Sequence, residues 1–427
     1  MKKRIVSLIL GSAFAVGAAM GIAGCGGSGE GGKGGSNKLT LWGPSAQQES
    51  LKEMVALFKE QNPDINLDIE LGIAGEGDAY GMMSNDPQSG ADVFAYANDQ
   101  VVNLYSLGAL AKLTDSVVTD LKANNIEDSV NAGKVGNDYY GYPYAADNGF
   151  FMYYDKSIIS EEQAKTLEGV LDACLAAKRY FIYQVATGWY AGSFMYGAGG
   201  EYVAHYEGAS VSSVDCNFDQ KPEGEDTYTI GELGGQALID LKHHDAVVDG
   251  GDTEITSYLQ GVGGKIKFGA CISGTWNAGL IESALGDNYA ATVLPKWTSS
   301  LNGQQYDWKS FAGYKLYGVN SFSKHLPEAH RLAAFLSGQA MQEKRFDDSK
   351  IGPSNKAVSA LDKVQQNVAI AAISRQFAEN SVIQAAMPSS YWSEMESFAT
   401  AMKDLEKAGS KVSVDRVREL VAALKAN

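Results

Sequence analysis

From residue 37 onward the chain alternates between two hydrophobic periods. Leu39-Thr40-Leu41-Trp42 reads as a short strand, broken by Gly43-Pro44-Ser45. Ser45, with Gln48 three residues later, has the spacing of a capping box. The helix this predicts carries Leu51, Met54, Val55 and Phe58 at i, i+3, i+4 and i+7, and Asn62-Pro63 stops it. Ile65, Leu67, Ile69 and Leu71 alternate with polar residues as a second strand, and Ala91 to Tyr96 reads as a third. Strand, helix, strand in that order favours a parallel sheet with right-handed crossovers. The far end is helical. Pro327 suits a first turn and precedes Leu332, Phe335 and Leu336. Ser413 is placed to cap a last helix with the stripe Val417, Leu420, Val421 and Leu424. The fold class is therefore α/β, two doubly wound lobes. Ligands of such sheets bind beyond the carboxyl ends of the strands, which directs attention to the loops after Trp42 and Tyr96.

The first residues follow another rule. Lys2, Lys3 and Arg4 precede an uncharged apolar run from Ile5 to Ala23, which ends in Ile22-Ala23-Gly24-Cys25. That tetrapeptide resembles the lipobox of bacterial lipoproteins. The resemblance implies a signal peptide over 1–24 that is removed, and a lipid on the Cys25 thiol. Residues 25–36, rich in Gly, Ser, Glu and Lys, form the composition of a flexible tether. The expectation is an exported protein, at the cell surface or in the periplasm, held to the cytoplasmic membrane at Cys25.

Length and charge narrow the partners. Some 390 residues after the tether suggest two domains. The formal net charge goes from -16 to -19 when Lys2, Lys3 and Arg4 leave with the leader. So acidic a body disfavours nucleic acid and anionic lipid surfaces as partners, since both need clustered Lys and Arg. With Cys25 lipidated, Cys174, Cys216 and Cys271 are an odd number without close spacing, which excludes a disulfide scaffold and a CxxC metal site; buried free thiols are expected. His243-His244-Asp245 lacks metal-ligand spacing and reads as a solvated helix end. No metal or cofactor is expected. The glycines of 26–35 lack a GK[ST] ending, and no nucleophile elbow occurs.

Four segments, in order, carry a resemblance: Leu39 to Pro44; Ala91 to Gln100 leading into Leu107 to Thr114; Gly141 to Gly149 continuing to Lys156; and Ser273-Gly274-Thr275-Trp276, followed by Val293-Leu294-Pro295, Phe311 to Tyr314 and Gly352 to Asn355. Together they resemble extracellular solute-binding proteins of bacterial ABC importers, of the maltose/maltodextrin-binding family. The resemblance implies a two-lobed, class II periplasmic-binding-protein fold, each lobe a sheet flanked by helices, hinged at the cleft. It assigns 37–145 and 313–355 to an N-terminal lobe, and 146–312 and 356–427 to a C-terminal lobe. It further implies a monomer that captures malto-oligosaccharides, closes on them and delivers them to permease subunits.

A pyranose offers apolar C–H faces and a belt of hydroxyls, so its site needs flat aromatic surfaces and a rim of carboxylates and amides. By position the resemblance assigns stacking to Trp276, Tyr96, Trp189, Tyr190 and Trp392, the last in competition with Tyr391. It assigns hydrogen bonding to Asp147, Asn148, Asn98 and Asp99. Glu76 and Asp78 in a Gly-rich loop, and Gln47, Gln48 and Glu49 after the first strand, are further candidates. Trp42, Trp297 and Trp308 are left to core or surface. Two readings compete with the malto-oligosaccharide receptor. One is a receptor for galacto-, arabino- or xylo-oligosaccharides, or for a polyamine. The other is a surface glycoside hydrolase using Asp99 and Asp147, whose carboxylates would flank the bond. Against it, neither carboxylate sits in a stretch apolar enough to raise its pKa.

Overall fold

The computed structural model describes residues 37–207, 210–261, 265–384, 387–405 and 409–426. The expected leader, Cys25 and the tether to Ser36 lie outside the described residues. The first strand, β1 (Lys38–Gly43), buries Leu39 and Leu41 on one face. A 3-10 turn over Ser45–Gln47 follows, then α1 (Gln48–Gln61), whose buried face includes Leu51, Met54, Val55 and Phe58. The capping box does not form: the turn takes Ser45 out of capping position, and no side chain caps α1. Gln48 Nε2 donates instead to the carbonyls of Gly43 (2.9 Å) and Gly72 (3.2 Å), which locks together the ends of neighbouring strands. β2 (Asp68–Ile73) starts later than the alternation suggests, while Ile65 and Leu67 pack on the core from the loop before it. β3 (Val93–Ala97) is buried throughout, and β1 pairs parallel with both β2 and β3.

β4 (Tyr142–Asn148) then passes directly to β5 (Phe151–Asp155), which belongs to a second sheet. That sheet adds β6 (Tyr180–Tyr183), followed by the short helix α2 (Gly188–Ala191), then β7 (Val247–Asp249), β8 (Phe268–Ser273) and β9 (Tyr289–Thr292). Its order is β7-β6-β8-β5-β9; β7, β6 and β8 run parallel and β5 runs against β8. β10 (Ser310–Val319) returns to the first sheet, lying antiparallel between β3 and β4 with Lys315 opposite both Ala97 and Ala145. α3 (Leu326–Ser337) follows, with Pro327 in its first turn. After Asn355 the chain goes back once more to α4 (Val368–Glu379), whose Ile370 and Ile373 share a core with Phe151 and Tyr153. β11 (Ser381–Ile383) joins the first residues of β10, completing a first sheet of order β11-β10-β3-β1-β2 with β4 also on β10. α5 (Ser389–Lys403) and α6 (Val414–Lys425) close the chain, α6 capped by Ser413 and burying Val417, Leu420, Val421 and Leu424.

The architecture is α/β with two lobes, each a sheet with its own core. Leu41, Phe58, Val93 and Leu332 fill the first, and Phe181, Phe194, Trp297 and Trp308 the second. Cys174, Cys216 and Cys271 are free and buried. Burial pushes the thiol of Cys174 up to about 12 and that of Cys216 up to about 11, and holds that of Cys271 well above the ordinary range. Among the described residues no helix is long and apolar enough to cross a membrane. His243 caps a helix, and its Nε2 contacts the Leu405 carbonyl oxygen at 2.8 Å.

Candidate functional site

Register decides where the strand ends meet. β4 ends at Asn148 beside Gly313, and β5 begins at Phe151 beside Ser273, the last residue of β8. The carboxyl ends of the parallel strands in both sheets therefore open on the same crossing strands. From the first sheet come Gln47 after β1, Glu76 after β2, and Asn98 and Asp99 after β3. From the second come Trp189 in α2 after β6, Asp252 after β7 and Trp276 after β8.

Trp276 is 46 % exposed, in a turn where most neighbours are buried. Its ring lies over Gly274, where a Cβ would come within 1.9 Å of it, so only glycine lets the indole occupy that place. The turn is braced: Tyr153 Oη donates to the Gly274 carbonyl (3.0 Å), and Asn277 Nδ2 donates to Asp252 Oδ1 (2.7 Å) and Ser273 Oγ (2.8 Å). Trp189 and Trp392 are half-buried partners, ring centroids 5.8 Å apart, with Phe311 of β10 5.2 and 5.7 Å from them. Gly188 allows this approach, since a Cβ there would meet the Trp392 carbonyl oxygen at 2.3 Å. The buried Trp189 Nε1 has no hydrogen-bond partner among the described residues. Tyr391 is fully buried and its hydroxyl bonds Tyr196, so the ring turned toward Trp189 is that of Trp392. Tyr190 is 8 % exposed and packs edge-on against Phe150 and Tyr183.

The first lobe supplies carboxylates and amides. Glu76 Oε1 accepts from Tyr144 Oη (2.6 Å) and, at 3.4 Å, from Gln47 Nε2. Gln47 Oε1 is buried without a partner among the described residues. Asp99 is half-buried, and burial lifts its pKa to about 6, contrary to the reading that no apolar surroundings raise it. Asn98 is sealed, its Nδ2 on the Gln384 carbonyl oxygen (2.5 Å) and its Oδ1 accepting from Tyr314 N (2.9 Å). Asn148 Nδ2 donates to Gln384 Oε1 (3.1 Å). Tyr96 lies wholly inside the first lobe beside Phe94, with no face open to a ligand.

Asp147 occupies an unexpected place. It has no exposed surface, and its Oδ2 accepts from Thr275 Oγ1 and from the Gly352 amide, both at 2.8 Å. Lys315 Nζ stands 3.0 Å from Oδ1 in an ion pair whose angle falls outside the hydrogen-bond range. Burial opposes the lysine's charge, but the carboxylates of Asp147 and Glu76 outweigh it and raise its pKa. The structure thus sets Trp276, Glu76, Asp99 and Trp189 after the carboxyl ends of their strands, Asn148 at the end of β4, and Trp392 of α5 against Trp189. It withdraws Tyr96, Tyr190, Asn98, Asp147 and Gln48 into packing or internal bonds. Sequence reasoning missed Lys315 and Gln384. The only trace of Lys315 is a lone cation in the apolar run of β10, and Gln384 leaves none. A cavity of about 510 Å³ flanks the same crossings, walled by Ala146, Tyr314, Gly352, Ile370 and Phe377, with none of the sequence-chosen ligand residues in its lining.

Comparison with known proteins agrees with this layout. Residues 53–372 match the family described as bacterial extracellular solute-binding protein. A galactooligosaccharide-binding protein of Bacillus subtilis (strain 168) is 26% identical over 372 residues, 84% of this chain and 83% of that one. A structure solved with acarbose superposes with TM-score 0.77 at 25% identity, over 92% of this chain and 99% of its own. The maltodextrin-binding protein MalE1 of L. casei BL23, without ligand, gives TM-score 0.73 at 21% identity, over 92% and 99%. The Thermus thermophilus maltotriose-binding protein, bound with maltotriose, gives 0.71 at 17%, over 90% and 98%. With three-quarters of its length matched, the chain belongs to the bacterial extracellular solute-binding proteins.

Proposed function

We propose that this protein is the extracellular receptor of an ABC importer, capturing an oligosaccharide between its lobes and delivering it to the permease. The observation that carries this is Trp276, an indole left half open at the carboxyl edge of the second sheet, with the Trp189–Trp392 pair beyond the neighbouring strand. Two aromatic surfaces at adjacent strand ends suit successive pyranose faces. Glu76 and Asp99, part-exposed after β2 and β3, supply carboxylate acceptors of the kind that hydroxyls need. In this reading the N-terminal lobe comprises 37–145 and 313–355, and the C-terminal lobe 146–312 and 356–427. The receptor acts as a monomer tethered by lipid at Cys25.

Malto-oligosaccharides are the ligand we put first, in keeping with the maltodextrin and maltotriose proteins that share the fold. Galacto-oligosaccharides are the second reading, favoured by the Bacillus subtilis relative. Calorimetric titration with maltose to maltohexaose, beside galacto-, arabino- and xylo-oligosaccharides, tests both. Saturable binding of malto-oligosaccharides alone supports the first, binding of galacto-oligosaccharides alone supports the second, and binding of none refutes the sugar receptor.

The receptor is not a hydrolase in this reading. Asp99 has the raised pKa an acid needs, but its expected partner Asp147 is sealed, hydrogen-bonded at Oδ2 and ion-paired with Lys315 at Oδ1. Incubation with maltotetraose should release no new reducing ends.

A further inference from the structure

We infer that Asp147 is a positioning residue: its carboxylate sets the pose of Trp276 through Thr275 and does not touch the ligand. The inference rests on the sugar-receptor reading for its binding arm, and on geometry alone for its structural one.

Asp147 lies on β4, the first passage between the lobes; Lys315 lies on β10, the second; Gly352 lies just before the third. Thr275 belongs to the second-lobe turn after β8. One buried carboxylate therefore binds all three passages and the turn that carries the exposed indole. Ionised oxygen suits this work, because a charged acceptor makes a stronger bond to hydroxyl and amide than a neutral one. Lys315, 12 % exposed, neutralises the charge that burial would otherwise make costly. No part of Asp147 is accessible, so a ligand hydroxyl could reach it only by displacing Thr275 or Gly352.

The turn from Gly274 to Asn277 is held at three places. Tyr153 holds its first carbonyl, Asp252 and Ser273 hold Asn277, and Asp147 holds Thr275. Thr275, 6 % exposed, has its hydroxyl turned inward while the next side chain points out. Releasing Thr275 frees the residue next to the indole while both ends of the turn stay fixed. The loss should therefore appear as disorder of Trp276, without unfolding of the lobe.

The test uses the full chain labelled with fluorotryptophan, read by fluorine NMR and by calorimetry. The chain has 6 tryptophans, and Trp276→Phe assigns the resonance of interest. Without ligand, Thr275→Val should shift or broaden the Trp276 resonance and leave the other five in place. Its affinity for the oligosaccharide that the parent binds should fall about ten-fold, the scale of one charge-assisted hydrogen bond. Thr275→Ser, which keeps the hydroxyl, should restore both. In a Trp276→Ala background, Thr275→Val should change affinity less than about two-fold, because its whole effect passes through the indole. Asp147→Asn should repeat the spectral change, and if it does not fold, Thr275→Val still decides. An unmoved Trp276 resonance, or a ten-fold loss that persists without the indole, overturns the proposal. If the parent binds no oligosaccharide, the receptor reading fails separately, and the ligand-free spectra still decide whether Asp147 positions Trp276.

Discussion

Removing the indole of Trp276 is the sharpest test of the site. A tryptophan side chain presents up to about 250 Å². At 46 % exposure, about 110 Å² of that face is open to a ligand. A sugar covering it adds a smaller apolar contribution of its own, so on the order of 150 Å² leaves water, at ~25 cal/mol per Å². That is about 4 kcal/mol, and alanine retains part of the contact. Trp276→Ala should therefore cost about 2 to 3 kcal/mol, a rise of about 30- to 150-fold in Kd. Stability should change little, since the ring rests on Gly274 and not in a core. Titration with the best oligosaccharide, beside a ligand-free melting curve, reads both quantities. Binding equal to the parent's refutes stacking at Trp276. Lost folding together with lost binding makes the ring a structural element and moves the stacking role to Trp189 and Trp392.

Asp99 should give a pH signature. Its folded pKa of about 6 exceeds the unfolded value of about 3.9, so between them the native state holds a proton the unfolded chain has lost. Stability contributed by this group therefore falls as pH rises through that window, and the penalty is complete above it. Asp99→Asn should stabilise by about 1 to 2 kcal/mol near pH 7.5, after allowance for partial exposure, and by almost nothing near pH 3, below both values; equal gains at both in urea unfolding would contradict the assignment. Saturating oligosaccharide should reduce the radius of gyration in small-angle scattering, and an unchanged value counts against hinge closure from an open form. Cys25→Ala should move the protein from the detergent to the aqueous phase while sugar binding persists; retention in detergent would refute the lipid anchor.

Local patterns in the sequence read correctly where a segment's own neighbours decide. The stripe Leu51, Met54, Val55, Phe58 and the Ser413 cap both form as the spacing predicts. The Ser45–Gln48 box failed because Gln48 found carbonyls at the end of β1 and on β2, one of them 24 residues away. Alternation from Ile65 overshot because apolar loop residues can pack on a core without joining a ladder. The site was legible in kind, since tryptophans and carboxylates do gather at strand ends. It was not legible in role. Asp147 looked like a rim carboxylate, yet its partners lie 128 and 205 residues away along the chain, and no local pattern announces them. Tyr96, at the end of a strand, has the same address as a ligand residue and the burial of a core one.

The three sealed thiols have a practical consequence. Alkylating reagents attack the thiolate, and groups that burial holds well above the ordinary thiol range are thiols at neutral pH, out of reach of solvent besides. In a chain that begins at Asn37, without Cys25, a cysteine placed on the cleft lip would be the sole group to take up a maleimide dye. None of the three buried cysteines would need to be replaced, and no core would be repacked to make room. The receptor is thus suited to carry one environment-sensitive fluorophore and report its ligand as a change of colour.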